Sequence, residues 1–313
     1  MKHRKLGKSD LRVSVVGLGC NNFGFVAGMD LEASRKVIDK AIDAGINFFD
    51  TSDSYGQSEE ILGEALGARR QKIVLATKFG SQLDREGKKK GASRAYILAA
   101  IESSLRRLRT DWIDLYQLHR PDPNTPIEET LRTLDDLVRQ GKVRHIGCSN
   151  LSPAQLVEAE NIAKDSRLTG FVSSQDEYSL LVRNIEQDVL PVVEEYGMAE
   201  IPYFPLASGL LTGKYRKGQP PPKGSRLAER QNLADRYLKE SHVEKMERLE
   251  QFAKEHGHIL LELAFSWLLT RPSVASVIAG ATKPAQVEKN AVSATWDLSS
   301  EELAEIDRIS GET

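Results

Sequence analysis

Short apolar runs alternate with longer amphipathic stretches along almost the whole chain. Eight of these runs are rich in β-branched and aromatic residues and are often continuously apolar, as in strands buried on both faces. The predicted strands are VSVVGLG (13–19), NFF (47–49), KIVLATK (72–78), WIDLYQL (112–118), HIGCSN (145–150), FVSSQ (171–175), IPYFPL (201–206) and VASVIAG (274–280). Between them, stretches such as residues 31–45 and 152–164 place apolar residues at helical spacing.

This alternation predicts the fold class. Eight β-then-α units without a break in composition favour an α/β fold, a closed (β/α)8 TIM barrel that forms a single domain over residues 1–313. A doubly wound open sheet is the alternative. The opening residues 3–14 predict a β-hairpin with GKSD as its turn. Residues 214–244 are polar and too long for an ordinary barrel loop, which indicates a functional lid or a mobile insert.

Composition narrows the classes of partner and location. A net charge of −2 and a pI near 6.4 favour neither nucleic acid nor an anionic membrane as a partner. No run of 18 apolar residues occurs, so we expect no membrane span, and the start MKHRKLGKSD lacks the apolar segment of a signal peptide. Cys20 and Cys148 are too few for a disulfide framework and fit a cytoplasmic protein.

Polar side chains follow several of the predicted strands. In a barrel of this class, the carboxyl ends of the strands build the active site. An ionisable residue at the end of an apolar strand costs desolvation unless it is paired, so several of them together indicate a site, although each alone is more typical of a structural role. The residues at these ends are Asp50, Thr51, Lys78, His119, Ser149, Asn150 and Gln175.

Seven segments, in order and over nearly the whole chain, resemble the aldo-keto reductases. They are FFDTSDSYGQSEEILGEAL, IVLATK, DWIDLYQLHRPD, IGCSN, SSQDEYSLLVR, YFPLASGLLTGKY and AGATKPAQVEKN. The resemblance implies the same (β/α)8 barrel, with the N-terminal hairpin closing its bottom. It also implies the reduction of aldehydes or ketones to alcohols by hydride transfer from a nicotinamide cofactor.

The resemblance implies a catalytic tetrad of Asp50, Tyr55, Lys78 and His119. Hydride delivery to a carbonyl builds negative charge on the oxygen, which a general acid must protonate. We expect Tyr55 to be this acid, Lys78 to lower its pKa, Asp50 to hold Lys78 charged and His119 to orient the carbonyl. The alternatives are a rim-packing role for Tyr55, a strand-capping role for His119 and a structural ion pair of Lys78 with Asp50.

The resemblance also implies a cofactor site along the same rim. Ser149, Asn150 and Gln175 would bind the nicotinamide carboxamide and Tyr203 would stack on its ring. Tyr203 could instead be a core aromatic residue, and Lys214 a solvated charge rather than a pyrophosphate contact. The implied cofactor-binding residues are Ser149, Asn150, Gln175, Tyr203, Leu206, Gly209, Leu210, Lys214, Gly280, Ala281, Thr282, Lys283, Gln286 and Asn290.

The adenosine end of this site favours NADPH and leaves NADH possible. Lys283 and Thr282 suit the 2′-phosphate of NADPH. Gln286 stands where many relatives have arginine, which weakens the preference. Two further departures from the family pattern are Asp176, a negative charge close to the site or one satisfied locally, and Glu200, which we expect at a strand bottom facing water.

The expected partner is a small-molecule carbonyl substrate. Apolar walls are predicted from Phe23, Phe25 and Phe79, and from Trp112 unless it packs in the barrel. We expect no metal site, because the sequence His256-Gly-His258 lacks further ligands and reads as a solvated helix start. The rival functions are a cofactor-binding regulatory subunit, resembling the potassium-channel β subunits, and a structural barrel without a cofactor.

Overall fold

The computed structural model describes residues 1–24, 26, 29–83 and 90–311. A two-stranded hairpin of β1 (His3–Lys5) and β2 (Arg12–Ser14) precedes eight parallel strands. These strands are β3 (Val16–Gly19), β4 (Phe48–Asp50), β5 (Val74–Phe79), β6 (Ile113–Leu118), β7 (Val143–Ser149), β8 (Ser173–Gln175), β9 (Ala199–Glu200) and β10 (Val277–Gly280). Their order is β10-β3-β4-β5-β6-β7-β8-β9, and backbone bonds of Glu200 to Ser273 and Ala275 join the two edges. The predicted (β/α)8 fold is confirmed.

Helices follow the strands and cover the outside of the barrel. They are α1 (Leu31–Asp43), α2 (Ser58–Leu66), α3 (Arg94–Leu108), α4 (Ile127–Arg139), α5 (Pro153–Asp165), α6 (Val189–Glu195), α7 (Arg226–Glu229), α8 (Gln231–Tyr237), α9 (Glu240–Glu255), α10 (Leu260–Leu269), α11 (Pro284–Val292) and α12 (Ser300–Gly311). Ser152 caps α5 through a reciprocal capping box with Gln155, as a serine before a proline at the first helical position favours. Within the described ranges, no helix combines the length and apolar character that a bilayer crossing requires.

The predicted hairpin lies against the amino-terminal ends of the barrel strands. Its turn contains Gly7 at φ +53°, and a Cβ there would lie 2.3 Å from the Val172 carbonyl oxygen. Only glycine fits both the backbone angle and this close approach. Leu6 and Val13 are fully buried in a cluster with Phe48 from β4. The hairpin therefore closes the bottom of the barrel, as the resemblance implied.

The seventh barrel strand lies earlier than residues 201–206, where the sequence predicted it. β9 ends at Glu200, because Pro202 has no N–H for the ladder and Phe204 takes a left-handed φ of +50°. The prediction that Glu200 faces water is wrong. Its side chain is fully buried and accepts a hydrogen bond from the Asp176 backbone N–H at 3.1 Å. Burial, reinforced by the Asp176 carboxylate, raises the pKa of Glu200 well above its usual value.

Residues 214–244 form a folded segment across the carboxyl rim of the barrel. It contains α7, α8 and the first residues of α9. Leu227 and Tyr237 are buried, and both Arg236 and the Tyr237 hydroxyl bond to the carboxylate of Glu177, just after β8. The segment is thus anchored to the rim by an ion pair and by apolar packing.

The two histidines of His256-Gly-His258 lie between α9 and α10 and pack on an aromatic side chain. The His258 ring stacks on Trp296 with centroids 4.0 Å apart, and the His256 ring lies 5.9 Å from Trp296. His256 remains exposed and His258 is half-buried just before α10, which agrees with the solvated helix start that the sequence suggested. Across the described residues, no group of three or more His, Cys, Asp or Glu side chains is placed to hold a metal ion.

Candidate active site

Asp50 and Lys78 form a buried ion pair at the carboxyl ends of β4 and β5. The Lys78 Nζ lies 2.5 Å from Asp50 Oδ2 and also donates to the Thr51 carbonyl oxygen at 3.1 Å. The side chains share one face because Asp50 pairs with Ala76, two residues before Lys78. Burial lowers the pKa of Lys78, but Asp50 and the adjacent Tyr55 outweigh it, so the pKa is raised. Lys78 is therefore an ammonium at neutral pH.

Tyr55 lies in the turn after β4, beside this pair. The Lys78 Nζ is 5.4 Å from the centre of its ring. Removal from solvent raises the pKa of Tyr55, and the charge of Lys78 opposes this rise without cancelling it. The net direction is opposite to the one expected from Lys78 alone, because burial is the larger effect. Tyr55 remains a neutral phenol through the neutral pH range and so retains its proton.

His119 follows β6 and lies next to Tyr55. The two rings are 5.7 Å apart and nearly perpendicular, at 84°. The His119 Nδ1 lies 3.0 Å from the Ser52 hydroxyl oxygen. Burial, with Lys78 and Arg120 adding to it, lowers the pKa of His119 to about 3. The ring is therefore neutral and carries a single N–H hydrogen that it can donate.

Gln117 belongs to this group although the sequence analysis did not select it. It pairs with Lys78 across β5 and β6, and its Nε2 donates to Asp50 Oδ1 at 3.2 Å. It is fully buried, and its Oε1 has no hydrogen-bond partner within the described structure. A signal was present, because Gln117 is polar in an apolar strand and precedes His119 by two residues, on the same face.

The four residues expected at the nicotinamide lie together next to this centre. The Ser149 hydroxyl donates to the Gln175 carbonyl oxygen at 2.7 Å, and the Asn150 Nδ2 donates to Ser149 Oγ at 2.8 Å and to the His119 carbonyl oxygen at 3.1 Å. The Tyr203 hydroxyl donates to Asn150 Oδ1 at 2.9 Å. Gln175 Nε2 donates to Asp50 Oδ1 at 3.1 Å, which joins the two groups.

The loop expected at the pyrophosphate, residues 206–214, has an unusual backbone. Ala207, Ser208 and Gly209 all have positive φ, at 46°, 56° and 97°. A Cβ on Gly209 would lie 3.4 Å from the Lys214 Nζ, so the amine lies against the loop. The buried Ser208 hydroxyl, which the sequence analysis did not select, has no hydrogen-bond partner among the described residues. Consecutive non-glycine residues in this conformation are costly and are typical of ligand-binding loops.

The residues expected at the adenosine lie at the end of β10, in the loop that follows and along α11. Gly280 ends β10, where a Cβ would lie 3.0 Å from the Asn22 side chain, so the loop after β3 borders this edge. Gln286 accepts from the Thr282 backbone N–H at 2.7 Å and from the Thr282 hydroxyl at 3.2 Å. Lys283 is exposed at the N-cap of α11. The two other residues expected here, Ala281 and Asn290, are buried.

The apolar walls predicted for the substrate are not where the sequence suggested. Phe23 and Phe79 are fully buried core residues. Trp112 lies at the amino end of β6, between the guanidinium groups of Arg70 and Arg144, and so belongs to the opposite side of the barrel. Phe25 lies outside the described residues.

The Asp176 carboxylate is hydrogen-bonded by neighbouring groups, which is one of the two alternatives that the sequence left open for it. Its Oδ1 accepts from the Asn150 backbone N–H at 3.1 Å and its Oδ2 from the Ser174 hydroxyl at 2.5 Å. Burial raises its pKa to about 6, while the Ser174 and Asn150 bonds oppose this. Asp176 thus holds the backbone at Asn150, which has a left-handed φ of +61°.

Comparisons with known proteins identify the family of this chain. Residues 15–310 match the Aldo/keto reductase family. A probable voltage-gated potassium channel subunit beta of Oryza sativa subsp. japonica is 38% identical, covering 93% of this chain and 90% of that protein. The L-glyceraldehyde 3-phosphate reductase of Escherichia coli O157:H7 is 35% identical, covering 98% and 92%. An uncharacterized oxidoreductase of Bacillus subtilis is 37% identical, covering 90% and 87%. This chain belongs to the Aldo/keto reductase family of NAD(P)H-dependent oxidoreductases.

Proposed function

We propose that this protein reduces aldehydes or ketones to alcohols with NADPH, and that Tyr55 is the general acid. One observation carries the proposal: a neutral phenol, a buried ammonium and a neutral imidazole meet at the carboxyl ends of adjacent strands. Lys78 places a positive charge next to Tyr55, and the His119 ring lies 5.7 Å from the Tyr55 ring. This is the set of groups that carbonyl reduction needs, since negative charge develops on the oxygen as the carbon is reduced.

The role of each side chain follows from its protonation state. When bound, NADPH supplies the hydride. Tyr55 gives its hydroxyl hydrogen to the carbonyl oxygen, and the adjacent Lys78 ammonium stabilises the negative charge left on the phenol oxygen. Asp50 keeps Lys78 protonated in spite of its burial. His119, which is neutral, donates a hydrogen bond that orients the carbonyl oxygen next to Tyr55.

The residues along the rim fit a dinucleotide. Ser149, Asn150 and Gln175 combine hydroxyl and amide groups that can both donate to and accept from a carboxamide. The unpartnered Ser208 hydroxyl and the left-handed backbone around it, with the Lys214 amine against the loop, fit a pyrophosphate. The exposed Lys283 ammonium, at the start of α11, fits the 2′-phosphate that distinguishes NADPH from NADH.

A second candidate function is a cofactor-binding regulatory subunit. Two plant relatives, each 38% identical to this chain, are named as probable potassium channel β subunits. Both functions require the cofactor, so binding does not separate them. Sustained turnover of a carbonyl panel that includes L-glyceraldehyde 3-phosphate supports the reductase, whereas tight NADPH binding without turnover of any member supports the regulatory subunit.

The decisive variant is Tyr55→Phe, compared with wild type using NADPH and NADH. We expect turnover to fall at least about 100-fold, the lower range for loss of a general acid. The affinity for NADPH, measured by quenching of protein fluorescence, should barely change, because the hydroxyl acts on the carbonyl oxygen. Near-normal reduction by Tyr55→Phe would overturn the assignment of the acid. An absence of quenching in wild type would leave only a structural barrel.

A further inference from the structure

The Ser52 hydroxyl lies at the centre of a small polar cluster behind His119. Ser52 is buried, and its Oγ is 3.0 Å from His119 Nδ1 and 3.2 Å from Asp53 Oδ1. It is also 2.9 Å from the Ser54 hydroxyl, and it accepts from the Ser54 backbone N–H at 3.2 Å. Neither Ser52 nor Asp53 has a role in the reduction described above.

The hydrogen bonds of Ser52 can be counted. A serine hydroxyl has one hydrogen and two lone pairs, and the Ser54 N–H occupies one lone pair. One hydrogen and one lone pair remain, and His119, Asp53 and the Ser54 hydroxyl are the groups within reach of them. If Ser52 gives its hydrogen to the Asp53 carboxylate, its lone pair can accept from His119 Nδ1. If it gives its hydrogen to His119 Nδ1, the lone pair can accept from a protonated Asp53.

These two patterns correspond to the two tautomers of His119. A neutral imidazole has one N–H, so Nε2 carries the hydrogen when Nδ1 accepts, and Nε2 is bare when Nδ1 donates. Nδ1 faces Ser52, and Nε2 has no hydrogen-bond partner among the residues that the structure describes. Nε2 is therefore the nitrogen left for the substrate, and only the Nε2–H tautomer can donate to a carbonyl oxygen.

We propose that Ser52 couples the protonation of Asp53 to the tautomer of His119, and thereby sets whether His119 donates a hydrogen bond to the substrate or accepts one. The proposal rests on the reductase function for its effect on turnover, but not for the coupling itself. Ser52 and Asp53 are positioning residues, because they act through His119.

The surroundings of Asp53 place its charge change in the neutral range. Burial, followed by the Glu59 carboxylate of α2, raises the pKa of Asp53 to about 7, while Ser52, Arg107 and Tyr96 oppose the rise. Arg107 of α3 is itself paired with Glu59 at 2.5 Å, and the Tyr96 hydroxyl of α3 lies 3.5 Å from Asp53 Oδ2.

Four other groups near this cluster have pKa values outside the neutral range. From β6, the buried Tyr116 has a pKa raised well above 10, and His119 stays neutral because its pKa is lowered to about 3. Tyr55 and Lys78 both have raised pKa values. Asp53 is thus the group of this cluster that loses a proton near pH 7.

The proton balance of the switch is simple. Below the pKa of Asp53, its carboxyl hydrogen is donated to Ser52, Ser52 donates to His119 Nδ1, and Nε2 carries the ring hydrogen. As the pH rises, the Asp53 carboxyl hydrogen passes to Ser52, the Ser52 hydrogen passes to His119 Nδ1, and Nε2 releases one hydrogen to solvent, so one proton is lost in all. The Asp53 carboxylate then accepts the Ser52 hydrogen bond, since bonds to charged acceptors are stronger. The ring is neutral throughout.

The two states suit opposite directions of the reaction. An Nε2–H group donates to the oxygen of a carbonyl, whereas a bare Nε2 accepts from the hydroxyl of an alcohol. Reduction should therefore be favoured below the pKa of Asp53, and oxidation of the alcohol above it. Above pH 7 the rate of reduction should fall by a factor approaching about tenfold for each pH unit, as for any rate that requires one protonated form.

The test is the nitrogen chemical shifts of the His119 ring, followed by NMR from pH 5.5 to 8.5 on protein labelled at histidine. In wild type we expect the Nε2–H tautomer at low pH and the Nδ1–H tautomer at high pH, with no imidazolium in between. Ser52→Ala and Asp53→Asn should each abolish this change. Ser54→Ala is the matched control, because it leaves the Ser52 contacts to both partners, and it should keep the change.

A tautomer that stays constant with pH in wild type, or that still switches in Ser52→Ala, overturns the proposal. The pH profile of reduction is the second measurement. The fall in rate above pH 7 should disappear in Asp53→Asn. It should persist in Asp176→Asn, which is the control because burial raises the pKa of the Asp176 carboxyl to about 6. A tautomer switch in a protein that reduces no carbonyl would support the coupling and reject the reductase function. Turnover of carbonyls without a change of the His119 tautomer would support the reductase function and reject the coupling.

Discussion

The two halves of the carboxyl rim are built differently. At the ends of β4, β5 and β6, Asp50 and Lys78 are buried and His119 is half-buried, and fixed neighbours keep Lys78 charged and His119 neutral. At the ends of β7 and β8, the polar groups expected to bind the cofactor are bonded to one another, as in the Tyr203 hydroxyl on Asn150 and the Ser149 hydroxyl on the Gln175 carbonyl. The first half needs no rearrangement to react, whereas the second must exchange internal hydrogen bonds for bonds to a ligand.

Gln175 connects the two halves and shows how this exchange can leave the first half intact. Its amide donates to Asp50 Oδ1, but so does the amide of Gln117. If Gln175 turns to a carboxamide, Asp50 keeps Gln117 on one oxygen and Lys78 on the other. The Gln117 amide therefore keeps the Asp50–Lys78 ion pair hydrogen-bonded when Gln175 binds a ligand.

Among the variants that test the contrast between the two halves of the rim, Asp50→Asn should lose the most turnover. Without the carboxylate, burial lowers the pKa of Lys78, and the amine loses its proton as the pH rises. We expect turnover to fall about 100-fold at pH 8 and by less at pH 6, where more of the amine is protonated. The measurement is steady-state carbonyl reduction across this range, with thermal unfolding to verify the fold.

Asp176→Asn is the matched control from the other half, since it makes the same chemical change in a buried carboxylate. Asp176 holds the Asn150 backbone and the Ser174 hydroxyl, and no ammonium depends on it. Turnover should fall by less than about fivefold, because the change removes about one hydrogen bond, which contributes about 1 kcal/mol. Equal losses in the two variants would contradict the contrast between the halves.

A smaller effect is expected at Lys283, on the adenosine side. Lys283→Ala removes an exposed ammonium placed for the 2′-phosphate, and a charge-assisted bond of about 1.5 kcal/mol corresponds to roughly tenfold in affinity. NADPH affinity should fall by this amount and NADH affinity should stay the same, both measured by fluorescence titration. Lys289→Ala, an exposed lysine in the last turn of the same helix, should change neither. Parallel losses for both cofactors in Lys283→Ala would reject the phosphate contact.

Sequence reasoning was successful where one strand carries the signal by itself. The continuous apolar runs placed β5 and β6 to within two residues, and the polar residues at their ends located Lys78 and His119. It failed at β9, because Pro202 and the left-handed Phe204 end the ladder inside an apolar run. It also failed at Glu200, whose burial depends on the closure of the barrel against residues 273–275.

Properties that depend on contacts between distant strands were also beyond the sequence. The bond from Gln175 to Asp50 joins residues 125 positions apart and depends on how the side chains of separate strands meet in the barrel. The upward pKa of Tyr55 depends on how completely the folded chain removes it from water, which the proximity of Lys78 along the motif did not indicate. Residue types located the site, but the balance of burial and charge required the structure.

The smallest effect, and the finest test of the comparison, is on Tyr203→Phe. This change removes the hydroxyl that bonds to Asn150 Oδ1 and keeps the ring expected to stack on the nicotinamide. Since a neutral hydrogen bond contributes about 1 kcal/mol, NADPH affinity should change by no more than about fivefold. The affinity for NADPH should rise or stay level, because loss of the internal hydrogen bond frees Asn150 to bind the cofactor. Turnover should remain within about twofold of wild type. A turnover loss as large as that of Tyr55→Phe would mean that Tyr203 takes part in the chemistry, and the two halves of the rim would not be separable.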